Sequence, residues 1–102
     1  MEKFKALYKA MYDDLKDAEM MVDYAHEIIE EHAEDKPLAD ELVNYAKFRM
    51  VHFMTFHKLF VEEAHKQKQV TEKTVEHCMW KESHEQVQEW HDKIAKKIAK
   101  YK

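Results

Sequence analysis

Carboxylate and imidazole side chains are the groups in this sequence whose types and spacing could support chemistry. Histidine makes up eight of the 102 residues, and His77, His84 and His91 follow one another at intervals of seven. If the chain forms antiparallel helices, counting residues outward from the turns places Glu19 and His52 near the height of the last two histidines. Such oxygen and nitrogen donors suit iron, manganese or zinc. The candidate metal ligands are therefore Glu19, His52, His84 and His91.

The spacing and the missing motifs restrict this chemistry. His84 and His91 are two helical turns apart, about 10.5 Å, so they cannot share one metal ion. The sequence has no H-E-x-x-H, C-x-x-C or glycine-rich phosphate loop, and Ser83 is its only serine. We therefore predict no catalytic residues and favour a protein that is not an enzyme and needs no cofactor. Binding of iron, manganese or zinc is the alternative, and a haem or small apolar ligand between helices is a weaker third.

A structural role for the histidines competes with metal binding. His77, His84 and His91 lie on one row of a seven-residue repeat, at a position that faces a neighbouring helix or its edge. Neutral imidazoles there would hydrogen-bond to carboxylates such as Glu19 and help to define the helix register. Arg49 and Glu19 could likewise form a partly buried ion pair. We favour the structural role, because native metal ligands without a recognisable motif are uncommon.

The composition predicts an all-α protein. There is no glycine and only one proline, Pro37. Turns between strands usually need glycine for positive φ, whereas helix interiors need neither residue. Cys78 is the only cysteine, which excludes an intrachain disulfide and is typical of a cytoplasmic protein. The net charge of −4 argues against nucleic-acid binding, and charged residues interrupt every apolar run that could span a membrane.

Apolar spacing predicts three long helices in a single domain, residues 1–102. We place the helices, in order, at about 3–34, 38–68 and 72–100. Apolar residues recur every three or four positions in the first, at Phe4, Leu7, Met11, Leu15, Ala18, Val22, Ala25 and Ile29. Asp35 is the predicted N-cap of the second helix, Pro37 belongs in its first turn, and Thr71 is the predicted N-cap of the third. Short connections then favour an up-down-up antiparallel bundle.

The second helix is apolar on more sides than one neighbour can cover. Between residues 45 and 61, apolar side chains take up well over half of its circumference. Three helices of this length also leave too little interior for Phe48, Trp80 and Trp90 together. We therefore predict a homodimer or a higher homo-oligomer.

Two segments, Leu15–Tyr24 and Leu38–His52, resemble the first two helices of the ferritin-like family, rubrerythrin-type members especially. The resemblance implies ferritin-like helix pairing, with Glu19 at the glutamate of the family's first helix and His52 at the histidine of its E-x-x-H motif. Arg49 stands where that motif has glutamate, and a guanidinium cannot ligate a metal. The family's second glutamate and second E-x-x-H have no counterpart here. The resemblance therefore predicts a fold more than an activity.

These observations lead to two functional expectations. The first is a non-enzymatic helical interaction or assembly protein of the cytosol that acts as a small homo-oligomer, and it could also bind a protein partner. The second is a small metal-binding bundle that uses Glu19, His52 and either His84 or His91. Neither expectation involves nucleic acid or a membrane.

Overall fold

Helices make up almost all of the described chain. The computed structural model describes residues 2–70 and 75–101, with side chains described at 3, 5–66 and 85–101. Within these ranges there are three α-helices and no strand: α1 is Glu2–Glu31, α2 is Lys36–Val70 and α3 is Val75–Lys100. A 3-10 turn at Ala33–Asp35 joins α1 to α2. The predicted all-α class is confirmed for this part of the chain.

The connection between α1 and α2 is a tight turn that starts at His32. The φ of −141° and ψ of 66° at His32 lie outside the helical region, and its carbonyl oxygen accepts a hydrogen bond from the Asp35 N–H at 2.8 Å. Pro37 lies in the first turn of α2, where its missing N–H leaves no hydrogen bond unmade. α1 thus ends at Glu31 rather than near residue 34, and Asp35 is the last residue of the 3-10 turn.

The connection between α2 and α3 follows the longest described helix. α2 has 35 residues, or roughly 52 Å at ~1.5 Å per residue. It extends to Val70, two residues beyond the predicted end near 68, and α3 is described from Val75. The predicted start of the third helix, near 72, lies outside the described residues. Thr71, the predicted N-cap of the third helix, lies outside the described residues. The side chains of His77 and His84 lie outside them as well.

The core follows one apolar stripe along each helix. Its main cluster contains Met11, Leu15, Ala18 and Val22 of α1, Ala46, Met50, Phe53 and Phe60 of α2, and Val87 and Ile94 of α3. From Leu7 to Ile29, the stripe predicted for α1 is therefore its buried or half-buried face, and the side chain of Phe4 lies outside the described residues. A second cluster, closer to the turn, contains Ala25, Ala39 and Val43. Alanines let α1 and α2 approach closely, while full burial of a large side chain such as Phe53 contributes roughly 1.5–3 kcal/mol.

The three helices form a slender rod with dimensions of 56 × 17 × 16 Å. α1 and α2 share the most extensive contact, and α3 packs against both of them. One side of α2 therefore has no neighbouring helix among the described residues. No described helix combines the length and the apolarity that a membrane crossing requires.

Candidate functional site

The side chain of Glu19, on α1, lies at the contact with α3 and accepts hydrogen bonds from two side chains of α3. The indole Nε1 of Trp90 is 3.1 Å from its Oε1, and the ammonium Nζ of Lys97 is 3.0 Å from its Oε2. Lys97 also donates to Asp23 at 3.0 Å. Partial burial favours the neutral form of Glu19, but the hydrogen bonds from Lys97 and Trp90 outweigh it, so the pKa of Glu19 lies below its ordinary value. This carboxylate is paired with a cation of the chain itself.

Arg49 pairs with two aspartates of α1 instead of with Glu19. Its Nε is 3.1 Å from Asp14 Oδ1, and its Nη2 donates to Asp17 Oδ2 at 2.9 Å. The predicted pair of Arg49 with Glu19 is therefore wrong. The reason is helical periodicity: at 100° per residue, Glu19 projects about 140° away from Asp14, toward α3 rather than α2.

Asp14 is a buried carboxylate, and only 3% of its surface is exposed. Among the described side chains, Asp14 Oδ2 and Arg49 Nε have no hydrogen-bond partner, although the ion-pair distance between the two residues is short. Burial raises the pKa of Asp14, and the charges of Arg49 and His52 only partly oppose that rise. The pair is thus held in the core with incomplete hydrogen bonding.

The two histidines of the predicted metal site whose side chains are described contact aromatic rings. His52 is exposed on α2 and stacks with Phe48, at 5.7 Å between ring centroids. His91 is half-buried on α3, stacks on Phe53 at 4.9 Å, and has Nδ1 3.2 Å from the carboxylate of the neighbouring Asp92. Among the described contacts, neither His52 nor His91 forms a hydrogen bond with Glu19. The fourth predicted ligand, His84, has its side chain outside the described residues.

A different group of potential metal ligands lies at the turn. Among the described side chains, a single group of three offers ligand atoms within 4.8 Å of one another: His32, Glu34 and Asp35. All three are exposed, and exposed carboxylates commonly lie close together without a metal. The group does not contain Glu19, His52 or His91, so the predicted metal site at mid-height stays a prediction.

Two polar contacts connect α3 to the other helices near the turn. The Tyr101 hydroxyl donates to Asp40 at 2.5 Å, and partial burial together with this bond raises the pKa of Tyr101 to about 12. On α1, the His26 Nε2–H donates to the Lys97 carbonyl oxygen at 3.2 Å. His26 also packs edge-on against the ring of Tyr101. These contacts position the last turns of α3 beside the first turns of α2.

Over about half of its circumference, α2 exposes large apolar residues that α1 and α3 leave partly uncovered. We call this surface the outer face of α2 and define it by Tyr45, Phe48, Val51, Met54 and Leu59, which expose between 44% and 66% of their surface. Phe48 is 64% exposed, in agreement with the expectation that three helices cannot cover all the aromatic residues. Trp90, by contrast, is half-buried and packs edge-on against Tyr12 at 5.2 Å.

Sequence spacing alone missed both inter-helix ion clusters. The cluster around Arg49 could have been predicted from Asp14 and Asp17, which lie three residues apart beside the apolar stripe of α1. The signal for the other cluster was Lys93 and Lys97, spaced by four on the side of α3 that faces Glu19. Each is a patch of like charge on one helix that needs opposite charge on the next.

Comparisons with protein-family models, with curated proteins and with solved structures found no match to this chain. The ferritin-like resemblance therefore stays a prediction.

Proposed function

We propose that this protein is a non-enzymatic helical assembly protein that acts as a small homo-oligomer through the outer face of α2. The single observation that carries the proposal is the exposure of this face: Phe48 and Val51 at its centre are 64% and 66% exposed. Contiguous apolar surface of this kind on a soluble helix marks an interaction site. Its position on the longest described helix gives the partner a long contact.

The proposal includes an up-down-up arrangement of the three helices. Arg49, near the middle of α2, meets Asp14 and Asp17, near the middle of α1, as expected for two antiparallel helices joined at residues 33–35. Tyr101, just after α3, meets Asp40 in the second turn of α2. Short connections between long helices favour the same arrangement.

The charged residues at mid-height support a structural role over a catalytic one. Glu19 binds Lys97 and Trp90, and Arg49 binds Asp14 and Asp17. Each pair joins two different helices and so holds their register. A metal ion at Glu19 would first have to displace the Lys97 ammonium at 3.0 Å.

Sedimentation equilibrium tests the proposal. We expect the wild-type protein to be a dimer or larger at micromolar concentration, and Phe48→Glu to weaken self-association at least tenfold, or about 1.4 kcal/mol, because a charge replaces a ring that the proposed contact would bury. Met20→Glu is the matched control: Met20 is 39% exposed, lies on α1 and is not one of the residues that define the outer face of α2. Its association should equal that of the wild type.

Circular dichroism of each variant must show unchanged helicity, so that lost association is not lost folding. A wild-type protein that stays monomeric throughout the micromolar range would overturn the proposal. So would a Phe48→Glu variant that associates as tightly as Met20→Glu.

A further inference from the structure

We infer that a groove between α1 and α2, on the side away from α3, binds a basic amphipathic helix of a partner protein. We call it the α1/α2 groove and define it by the side chains that line it: Tyr24, Glu27, Ile28 and Glu31 of α1, and Leu38 and Leu42 of α2. His32 lines its end at the turn. The inference goes beyond the proposed self-association, which uses the outer face of α2.

The α1/α2 groove lies on the side of the bundle opposite to α3. On α2, Asp40 meets Tyr101 at the end of α3, and Leu42 projects about 160° away from Asp40 at ~100° per residue. On α1, Glu19 meets α3, and Tyr24 projects about 140° away from Glu19. No described part of α3 therefore covers this groove.

The floor of the α1/α2 groove is apolar on both walls. Each helix contributes a pair of side chains four residues apart, Tyr24 with Ile28 and Leu38 with Leu42. Ile28 and Leu42 are half-buried against the core, whereas Tyr24 and Leu38 are 47% and 54% exposed. Two helices packed side by side leave such a groove for the apolar face of a third helix, whose anchors recur every three or four residues.

The rim of the α1/α2 groove carries negative charge. Glu27 and Glu31 are exposed, lie one turn apart on α1, and have no ion-pair or hydrogen-bond partner among the described side chains. Like charges at this spacing repel each other, so a cation between them is favoured. Lysine or arginine along the edge of a partner helix would supply it, and such complementarity selects a basic partner over an acidic one.

A second copy of the chain offers no described helix of this chemistry. α3 is rich in lysine, but its large apolar side chains, Trp90, Ile94 and Ile98, pack into its own core. The outer face of α2 is bordered by exposed charges of both signs, such as Lys58 and Glu62. The occupant that fits both the floor and the rim is therefore a helix of another protein.

Fluorescence anisotropy with two synthetic peptides tests the inference. Both labelled peptides are amphipathic helices of about 14 residues, roughly 21 Å long, with leucine on one face. The polar positions are lysine in one peptide and glutamate in the other. We expect the wild-type protein to bind the lysine peptide tighter than the glutamate peptide by about tenfold or more. Leu38→Ser should weaken binding of the lysine peptide about fivefold, because an apolar anchor is lost.

The charge of the rim is tested by a double variant, Glu27→Gln with Glu31→Gln, which should reduce the preference for the lysine peptide about threefold or more. Glu85→Gln with Glu89→Gln is its matched control, since these two carboxylates are also exposed and four residues apart, but lie on α3. Met54→Ser is the matched control for Leu38→Ser, since Met54 is 51% exposed on the outer face of α2. Both controls should bind the lysine peptide as the wild type does.

Failure to bind the lysine peptide, or equally tight binding of the glutamate peptide, overturns the inference. An equal loss in Leu38→Ser and Met54→Ser places the peptide on the outer face of α2 and overturns it as well. Circular dichroism must show the same helicity for every variant. If Leu38→Ser weakens self-association in sedimentation, a second copy occupies the groove and the inference is wrong. A wild-type monomer overturns the proposed function alone, because the peptide measurement does not depend on self-association.

Discussion

At the scale of single residues, the stability of the core depends on the ion pair between Arg49 and Asp14. Asp14 is buried, and its charge is tolerated because the Arg49 guanidinium lies beside it. We expect Arg49→Met to lower the free energy of unfolding by about 3 kcal/mol, since it leaves a buried charge without a partner. Urea unfolding followed by circular dichroism measures the change.

The matched variants identify the cause of that loss. Arg49→Met combined with Asp14→Leu removes both charges and should recover most of the stability. Asp17→Asn should cost less than about 1 kcal/mol, because the Asp17 side chain is 41% exposed. If the double variant is no more stable than Arg49→Met alone, the buried charge of Asp14 is not the reason for the loss.

The ionised Glu19 makes a contribution to stability that depends on pH. Its folded pKa is lowered, so the contribution is complete above the unfolded value of about 4.3 and is lost as the pH falls through the lower folded pKa. We expect Glu19→Gln to be less stable than the wild type by roughly 1 kcal/mol at pH 7. Urea unfolding at intervals from pH 7 to pH 3 should show this difference shrinking on acidification.

The pH-dependent contribution of Asp14 to stability has the opposite sign. It is present in both the wild type and Glu19→Gln. The raised pKa of Asp14 means that its ionisation costs stability as the pH rises above the unfolded value of about 3.9, so it opposes acid unfolding. Subtracting the Glu19→Gln curve from the wild-type curve removes this term. A difference that stays constant from pH 7 to pH 3 would contradict the assignment of Glu19 as the ionised partner of Lys97.

At the scale of the helices, the sequence predicts the helical class and the buried face of α1, but not which helix lies next to which side. The apolar stripe of α1 is predicted correctly, because a spacing of three and four leaves one possible buried face. Helix boundaries differ by a few residues, since the turn at His32 depends on local backbone geometry that a polar run does not specify. The all-α class follows from the lack of glycine.

Which charged side chains pair across the helices cannot be predicted from sequence spacing alone. Glu19 and Arg49 lie at similar heights on neighbouring helices, yet they point to different neighbours. Only the position of α3 decides that Glu19 meets Lys97 and that Arg49 meets Asp14. Sequence spacing gives the angle and height of each side chain, whereas its partner depends on the groove that the third helix takes.

At the scale of the whole molecule, a rod 17 Å wide has little interior for its surface. Small domains with few fully buried residues are marginally stable alone, and association that buries more apolar surface stabilises the folded state. We expect the melting temperature of the wild type to rise by about 4 °C for a tenfold increase in protein concentration. Differential scanning calorimetry across the micromolar range measures this dependence.

Phe48→Glu supplies the control for the concentration dependence. Its melting temperature should be lower, and it should not change with protein concentration over the range in which sedimentation shows the variant to be a monomer. A wild-type melting temperature that is equally constant would mean that folding gains nothing from self-association.

The turn after α1 has a practical consequence for protein engineering. None of the residues of Ala33–Asp35 is buried, so foreign sequence grafted at Glu34 would displace no core side chain. Each doubling of the loop length adds only about 0.6 kcal/mol of closure entropy. The turn also lies at one tip of the rod, well away from Phe48 and Val51, so a grafted epitope or fluorophore would project along the long axis. In the proposed homo-oligomer, each copy would carry one such guest at its own turn.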